Sequence, residues 1–184
     1  DLPSGKMKSR EGTVVDADEL IHEMKLNASN LSKELGKIDD FSTSEKDFLN
    51  STISLGALKY FILKVDPKKR ILFDPSESID FNGNTGPFIQ YAYARIESLK
   101  RKSKFNYDII DLDLEITQKE KDILKQLTQF PLAINAAADN YSPALIANYT
   151  FELVKMFNSY YQTTTILKIS DSEIKNFRLT LSNK

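Results

Sequence analysis

Hydrophobic residues recur at intervals of three or four along most of the chain, which is the period of a helix with one buried face. Residues that are typical of helix starts divide this pattern into separate helices. Ser42 and Thr117 are each followed three residues later by glutamate, and Pro87 and Pro143 suit first helical turns, where a missing N–H costs no hydrogen bond. The predicted helices span about 16–35, 42–65, 87–102, 117–129, 131–141, 143–162 and 171–181. The polar run from Asn27 to Asn30 offers a point of interruption in the first helix. The sequence therefore predicts a mainly α-helical fold.

Two short segments depart from the helical period. Residues 70–74 and 78–81 alternate between polar and apolar positions and are separated by Pro75, so we expect a small extended element or hairpin there. A turn follows, and Asn84 within it is a candidate N-cap for the next helix.

The same apolar positions predict which helical faces are buried. In the helix over 42–65, the predicted inner face consists of Phe48, Thr52, Leu55, Leu58, Ile62 and Val65. In the helix over 87–102, it consists of Phe88, Ala92, Ile96 and Leu99. These faces are expected to form the core of a helix bundle.

Composition narrows the classes of function. The 184 residues contain 25 Lys and Arg against 26 Asp and Glu, so bulk charge does not hold nucleic acid to this chain. Residues 59–104 nevertheless carry 10 basic and 5 acidic side chains, which leaves a local basic surface. Cysteine is absent and His22 is the only histidine, so we predict no thiol nucleophile and no metal site. No run of about 18 apolar residues occurs, and we expect no membrane partner and a cytoplasmic location.

Near the start of the chain, the residues Lys6-Met7-Lys8-Ser9-Arg10 form a basic loop followed by Gly12. They resemble the KMSKS signature loop of class I aminoacyl-tRNA synthetases, in the form found in arginyl-tRNA synthetases. The resemblance implies that Lys6, Lys8, Ser9 and Arg10 meet the phosphates of ATP, where cations stabilise charge that grows in the transition state. The second lysine of the signature falls at Ser9, so its charge must come from Lys8, Arg10 or a residue outside this chain.

Further segments resemble the same family in order and spacing, from Gly5 to about Leu167. They are 57–63, 71–74, 83–95, 129–131, 147–149 and 157–161. The resemblance implies that residues 1–83 comprise the end of the catalytic core, with the signature loop at 5–15, and a connecting region that contacts the tRNA stem. It implies that residues 84–184 are a helical anticodon-binding domain of the DALR type. We expect the chain to be a C-terminal piece that lacks the nucleotide-binding domain and a final helix.

The family resemblance implies a complete enzyme that ligates arginine to its tRNA with ATP and Mg²⁺, while this piece alone binds no cofactor and catalyses nothing. Its partner would be the anticodon arm of tRNA(Arg), whose unstacked bases are held by aromatic faces and polar side chains. The candidate tRNA-binding residues are Asn84, Gln90, Tyr91, Arg95, Asn148, Tyr149, Tyr160 and Tyr161. For each tyrosine, packing in the core is the competing interpretation, because these rings lie on or near apolar faces.

Two alternatives remain open from the sequence. The chain is also consistent with a non-catalytic helical module that binds another protein, with the basic loop as a tail. The second alternative is the related anticodon domain of a glycyl-tRNA synthetase β subunit, and the signature loop argues against it.

Overall fold

The computed structural model describes residues 16–34, 38, 40–103 and 114–184. In these ranges the chain forms helices and no strand. The helices are α1 (Ala17–Glu34), α2 (Thr43–Leu63), α3 (Pro75–Ser78), α4 (Gly86–Lys102), α5 (Gln118–Thr128), α6 (Phe130–Asp139), α7 (Pro143–Thr163) and α8 (Ser172–Asn183). The predicted mainly α-helical fold is confirmed.

Helix starts are determined by local hydrogen bonds, as the sequence predicts. Glu45 N–H donates to Ser42 Oγ over 3.3 Å, and the Glu45 carboxylate accepts from Ser42 N–H over 2.9 Å. Thr117 and Glu120 repeat this capping box at the start of α5. Each box satisfies two N–H groups that have no partner inside the helix.

The start of α4 differs from the prediction. Thr85 is the N-cap, and its hydroxyl oxygen accepts from the N–H of Phe88 over 3.3 Å. The interpretation of Asn84 as the N-cap is therefore wrong, and its side chain is available for another contact.

Helices α1, α2 and α3 enclose the first of the two hydrophobic cores formed by the described residues. Met24 and Ala57 are fully buried at its centre. Phe73, in the segment before α3, packs edge-on against Phe61 of α2 with ring centroids 5.0 Å apart. This core fixes α2, against which α4 later packs.

The second core joins α4, α5, α7 and α8. Its buried residues are Ala92, Leu99, Ile123, Phe157, Tyr160, Ile166, Phe177, Leu179 and Leu181. Ala92 and Leu99 are buried and Ile96 packs against the core, which confirms most of the inner face predicted for α4. Phe88 is half-buried and contacts the ring of Phe151 in α7.

The predicted hairpin over 70–81 is wrong. Asp74 instead caps the short helix α3, and its carboxylate accepts from the N–H groups of Ser76 and Glu77. The Ser76 hydroxyl also donates to this carboxylate, and that hydrogen bond, together with the two from N–H groups, holds the pKa of Asp74 below its usual value. Pro75 therefore acts as a first-turn residue and not as a break between strands.

The interruption expected at Asn27 to Asn30 is also absent. Helix α1 continues through these positions because its inner face remains intact there: Ala28 is buried and Ser32, one turn on, donates a hydrogen bond to Asn50 of α2. Packing of an amphipathic face outweighs the weak helix propensity of asparagine.

The predicted inner face of α2 is only partly correct: Leu58 is buried in the first core, but other members of that face are exposed. Phe48 is 75% exposed and Ile62 is 50% exposed, whereas Asn50, Ser54 and Ala57 are buried. Small side chains line this inner side, so α1 and α4 approach α2 there. Apolar periodicity located the helix correctly but identified only part of its buried side.

Candidate nucleic-acid interface

Helices α4 and α7 lie side by side and run in the same direction. The rings of Phe88 and Phe151 are 5.5 Å apart, and further along Arg95 donates to Asn158 Oδ1 over 2.5 Å. The two residues of each pair are 63 positions apart in the chain, so the two helices are parallel. The name α4/α7 seam is used below for the surface formed by Tyr91, Arg95, Asn158 and Tyr161.

The guanidinium of Arg95 contacts two tyrosine rings of the seam. Its central carbon is 4.3 Å from the ring centroid of Tyr91 and 5.1 Å from that of Tyr161. Both distances are typical of cation–π contacts. Tyr91 is 39% exposed, and Arg95 and Tyr161 are half-buried. The seam therefore presents planar, cationic and aromatic surfaces together, which suits an unstacked base.

Positive charge continues beyond the seam. Lys100, Arg101 and Lys102 occupy the last turn of α4, one to two turns after Arg95. Lys100 pairs with Glu97 over 2.8 Å at the surface. Lys168 and Tyr161 line a common shallow groove. Basic side chains beside an aromatic surface can follow a phosphate backbone while the rings hold bases.

Asn84 lies just before α4 and is held there by side chains at the end of α2. The hydroxyl of Tyr60 donates to Asn84 Oδ1 over 2.6 Å and lies 3.2 Å from the carbonyl oxygen of Ala147. Lys64 Nζ donates to the Asn84 carbonyl over 2.8 Å. Burial, together with the negative charge of Glu152, raises the pKa of Tyr60 to about 12, so its hydroxyl remains a proton donor. Tyr60 thus connects α2 with Asn84, just before α4, and with α7.

Gln90 faces α2 and not the seam. Its side-chain amide donates to the carbonyl of Thr52 over 3.0 Å, and its carbonyl oxygen Oε1 is buried and has no hydrogen-bond partner among the described residues. The side chain lies close against Gly56. Gln90 therefore contributes to the packing of α4 against α2.

Tyr149 and Tyr160 point toward α5. Tyr160 is fully buried, and its hydroxyl lies 3.4 Å from Glu120 Oε1; burial and this negative charge raise its pKa. The prediction that Tyr160 stacks on a base needs correction, because no part of its ring is accessible. Tyr149 is half-buried, donates to the Gln126 carbonyl over 2.8 Å and packs against Phe130 at 5.5 Å.

The remaining predicted residues are placed as follows. Asn148 is exposed on α7. The signature-loop residues Lys6, Lys8, Ser9 and Arg10 lie outside the described residues. Among the residues that the structure describes, no three histidine or carboxylate side chains are grouped so as to hold a metal ion. None of the described helices is both long and apolar enough to span a bilayer.

Sequence reasoning missed three contributors, namely Tyr60, Lys64 and Asn158. Asn158 stands three residues before Tyr161, a spacing that places both on one side of a helix. That spacing was the available signal for Asn158. Its partner Arg95 lies 63 residues earlier in the chain, so the pairing itself required the packed structure.

Comparisons with known proteins agree with this architecture. Residues 89–184 match the family described as the DALR anticodon binding domain. The chain is 57% identical to the arginine–tRNA ligase of Flavobacterium psychrophilum over 185 residues, covering all of this chain and 30% of that protein. It is 49% identical to the arginine–tRNA ligase of Bacteroides thetaiotaomicron, covering 99% of this chain and 31% of that protein.

A solved structure shows the same arrangement. The arginyl-tRNA synthetase of Thermus thermophilus superimposes with a TM-score of 0.85 at 29% identity, over 99% of this chain and 30% of that one. The chain thus spans somewhat under a third of the length of the relatives that it matches.

Proposed function

We propose, from the premise that the chain belongs to the DALR anticodon binding domain family, that its α4/α7 seam binds the anticodon arm of tRNA(Arg). The observation that carries this proposal is the contact of the Arg95 guanidinium with the rings of both Tyr91 and Tyr161. Stacking on such surfaces holds single-stranded bases, and the basic last turn of α4 supplies charge for the flanking phosphates.

The individual residues take different roles in this proposal. Tyr91, Arg95 and Tyr161 contact bases. The exposed side chain of Asn148 on α7 forms hydrogen bonds to a base. Asn84 and Gln90 hold α4 against α2 through the contacts described above, and Tyr149 supports α7 on α5. Tyr160 is left out of the binding surface because it is buried.

We propose that the complete protein is an arginine–tRNA ligase that activates arginine with ATP and Mg²⁺ in the cytoplasm. Residues 1–83 would comprise the end of its catalytic core and the connecting region, and residues 84–184 the anticodon-binding domain. The nucleotide-binding domain would lie elsewhere in the same protein, and the 184 residues alone would not be catalytic. The identity of the relatives named above supports arginine over glycine as the amino acid.

The test is a titration of the chain with an anticodon stem-loop of tRNA(Arg), at low salt, beside a stem-loop whose middle anticodon base is changed. We expect the cognate loop to bind about tenfold more tightly, because one well-held base contributes roughly 1–3 kcal/mol. Fluorescence anisotropy of labelled RNA measures both affinities. Equal affinity for the two loops would contradict anticodon recognition and leave non-specific charge alone.

A matched pair of variants locates the surface. Tyr91→Ala removes a ring of the seam, whereas Tyr93→Ala removes a ring from the other side of α4 that is 65% exposed. Binding should fall for Tyr91→Ala and remain unchanged for Tyr93→Ala. The reverse order would place the RNA on a different face of the helix.

One observation favours a second candidate function, binding to another protein. Leu132 is 62% exposed on α6, Phe130 is 47% exposed, and Tyr141 in the following turn is 88% exposed. Large exposed apolar side chains in one stretch of the chain offer surface for a protein contact. Failure of the chain to bind either stem-loop would favour this function over the first.

A further inference from the structure

Asn158 is the acceptor that fixes Arg95 in the α4/α7 seam. It is 7% exposed on α7, and its side-chain oxygen accepts from a terminal nitrogen of the guanidinium over 2.5 Å. The guanidinium also contacts the rings of Tyr91 and Tyr161, so two aromatic contacts and one hydrogen bond restrict its movement. The Arg95 side chain is therefore held before any ligand arrives.

The Asn158 amide that holds Arg95 is neutral, so it leaves the positive charge of the guanidinium unchanged. Among the described residues, Arg95 forms no ion pair, so its positive charge is not cancelled by a carboxylate. A buried amide can orient a guanidinium and leave its charge and its other N–H donors for a ligand. Aspartate has the same shape but would neutralise the group.

We infer that Asn158 is a positioning residue for anticodon recognition: it orients Arg95 so that the guanidinium reads a base and does not act as a loose phosphate contact. This inference rests on the proposed function of the seam. It adds a specificity-determining residue on α7 that itself touches no RNA.

Variants of the two residues separate positioning from simple packing. Asn158→Ala removes the acceptor, and Asn158→Asp keeps it in the same shape. In titrations with the cognate and the middle-base-changed stem-loops, Asn158→Ala should lose most of the roughly tenfold discrimination. Asn158→Asp should keep the discrimination ratio while binding both loops more weakly, because the local positive charge is reduced.

A double-variant cycle gives the second measurement. If Asn158 acts through Arg95, adding Asn158→Ala to Arg95→Ala should weaken cognate binding by less than twofold beyond Arg95→Ala alone, although Asn158→Ala alone weakens it about tenfold. Thermal unfolding of each variant checks that the chain remains folded. If Asn158→Ala does not fold, Asn158→Leu replaces it, because leucine also lacks the acceptor and fills nearly the same volume.

The outcomes are distinct. Independent effects of the two substitutions, or equal discrimination ratios for the Ala and Asp variants, would overturn the positioning role while leaving the seam as the binding surface. If the unchanged chain bound neither stem-loop, the proposed function would be overturned together with this inference.

Discussion

Replacement of Glu120 by alanine is expected to lower the free energy of unfolding by about 3–5 kcal/mol, because it leaves Arg178 buried without its counter-charge. Arg178 Nε donates to Glu120 Oε1 over 2.8 Å, and the two side chains are 12% and 2% exposed. The carboxylate also accepts from Thr117 and lies beside Tyr160, so one residue joins α5, α7 and α8. Urea unfolding followed by circular dichroism measures the loss.

The control is the ion pair between Lys155 and Glu152, which is 3.4 Å long with both side chains more than half exposed. Lys155→Ala should change stability by less than about 1 kcal/mol. The double variant Glu120→Leu with Arg178→Met should recover much of the lost stability, since an apolar pair needs no compensation for buried charge. A Glu120→Ala chain as stable as Lys155→Ala would show that the network contributes little.

The same network predicts a pH dependence. Burial raises the pKa of Glu120, but hydrogen bonds from Thr117 and the charge of Arg178 outweigh it, so the net pKa is lowered from 4.5. A carboxyl whose folded pKa lies below its unfolded value stabilises the fold above the unfolded value and loses that contribution as the pH falls through the folded pKa. Below about pH 4.5, Glu120→Gln should therefore lose stability less steeply than the unchanged chain. Parallel acid-unfolding curves would contradict this assignment.

Helix positions were predictable because their signals are local. The capping boxes at Ser42 and Thr117 lie within four residues of sequence, and both helices begin one residue after the cap, as predicted. The buried side of α2 was not predictable in this way, because it depends on which neighbour approaches. Ser54 and Ala57 are buried there because they are small enough for close packing, whereas the larger Phe48 lies outside.

The site shows the same division between local and tertiary information. Tyr160 and Tyr161 are adjacent, yet a helix turns by about 100° per residue, which places one in the core and the other on the seam. The family resemblance pointed to this segment without resolving the two rings. Asn158 required still more, because its partner is determined by the parallel packing of α4 and α7.

The close crossing of α2 and α4 underlies the last expected result, a loss of about 3 kcal/mol or more for Gly86→Ala. A Cβ added at Gly86 would lie 2.5 Å from the Gly56 carbonyl oxygen and 3.0 Å from the Cα of Ala57. These atoms belong to the backbone of α2, so only a shift of a whole helix relieves the clash. Overpacking commonly costs about 1–3 kcal/mol and occasionally more, and a clash with backbone places Gly86→Ala at or above the upper end of that range.

The same substitution at two other glycines provides the comparison for this experiment. A Cβ at Gly56 would meet the side chain of Gln90, which can rotate away and lose only its hydrogen bond to Thr52, at a cost of about 1 kcal/mol. A Cβ at Gly83 would meet a methyl group of Thr85 at 3.3 Å, a contact that small adjustments relieve. Stability should therefore fall in the order Gly86→Ala, Gly56→Ala, Gly83→Ala, with the largest loss first. Because α4 carries Tyr91 and Arg95, Gly86→Ala should also weaken stem-loop binding at temperatures where the chain remains folded, and unchanged stability and binding would show that α2 does not position the seam.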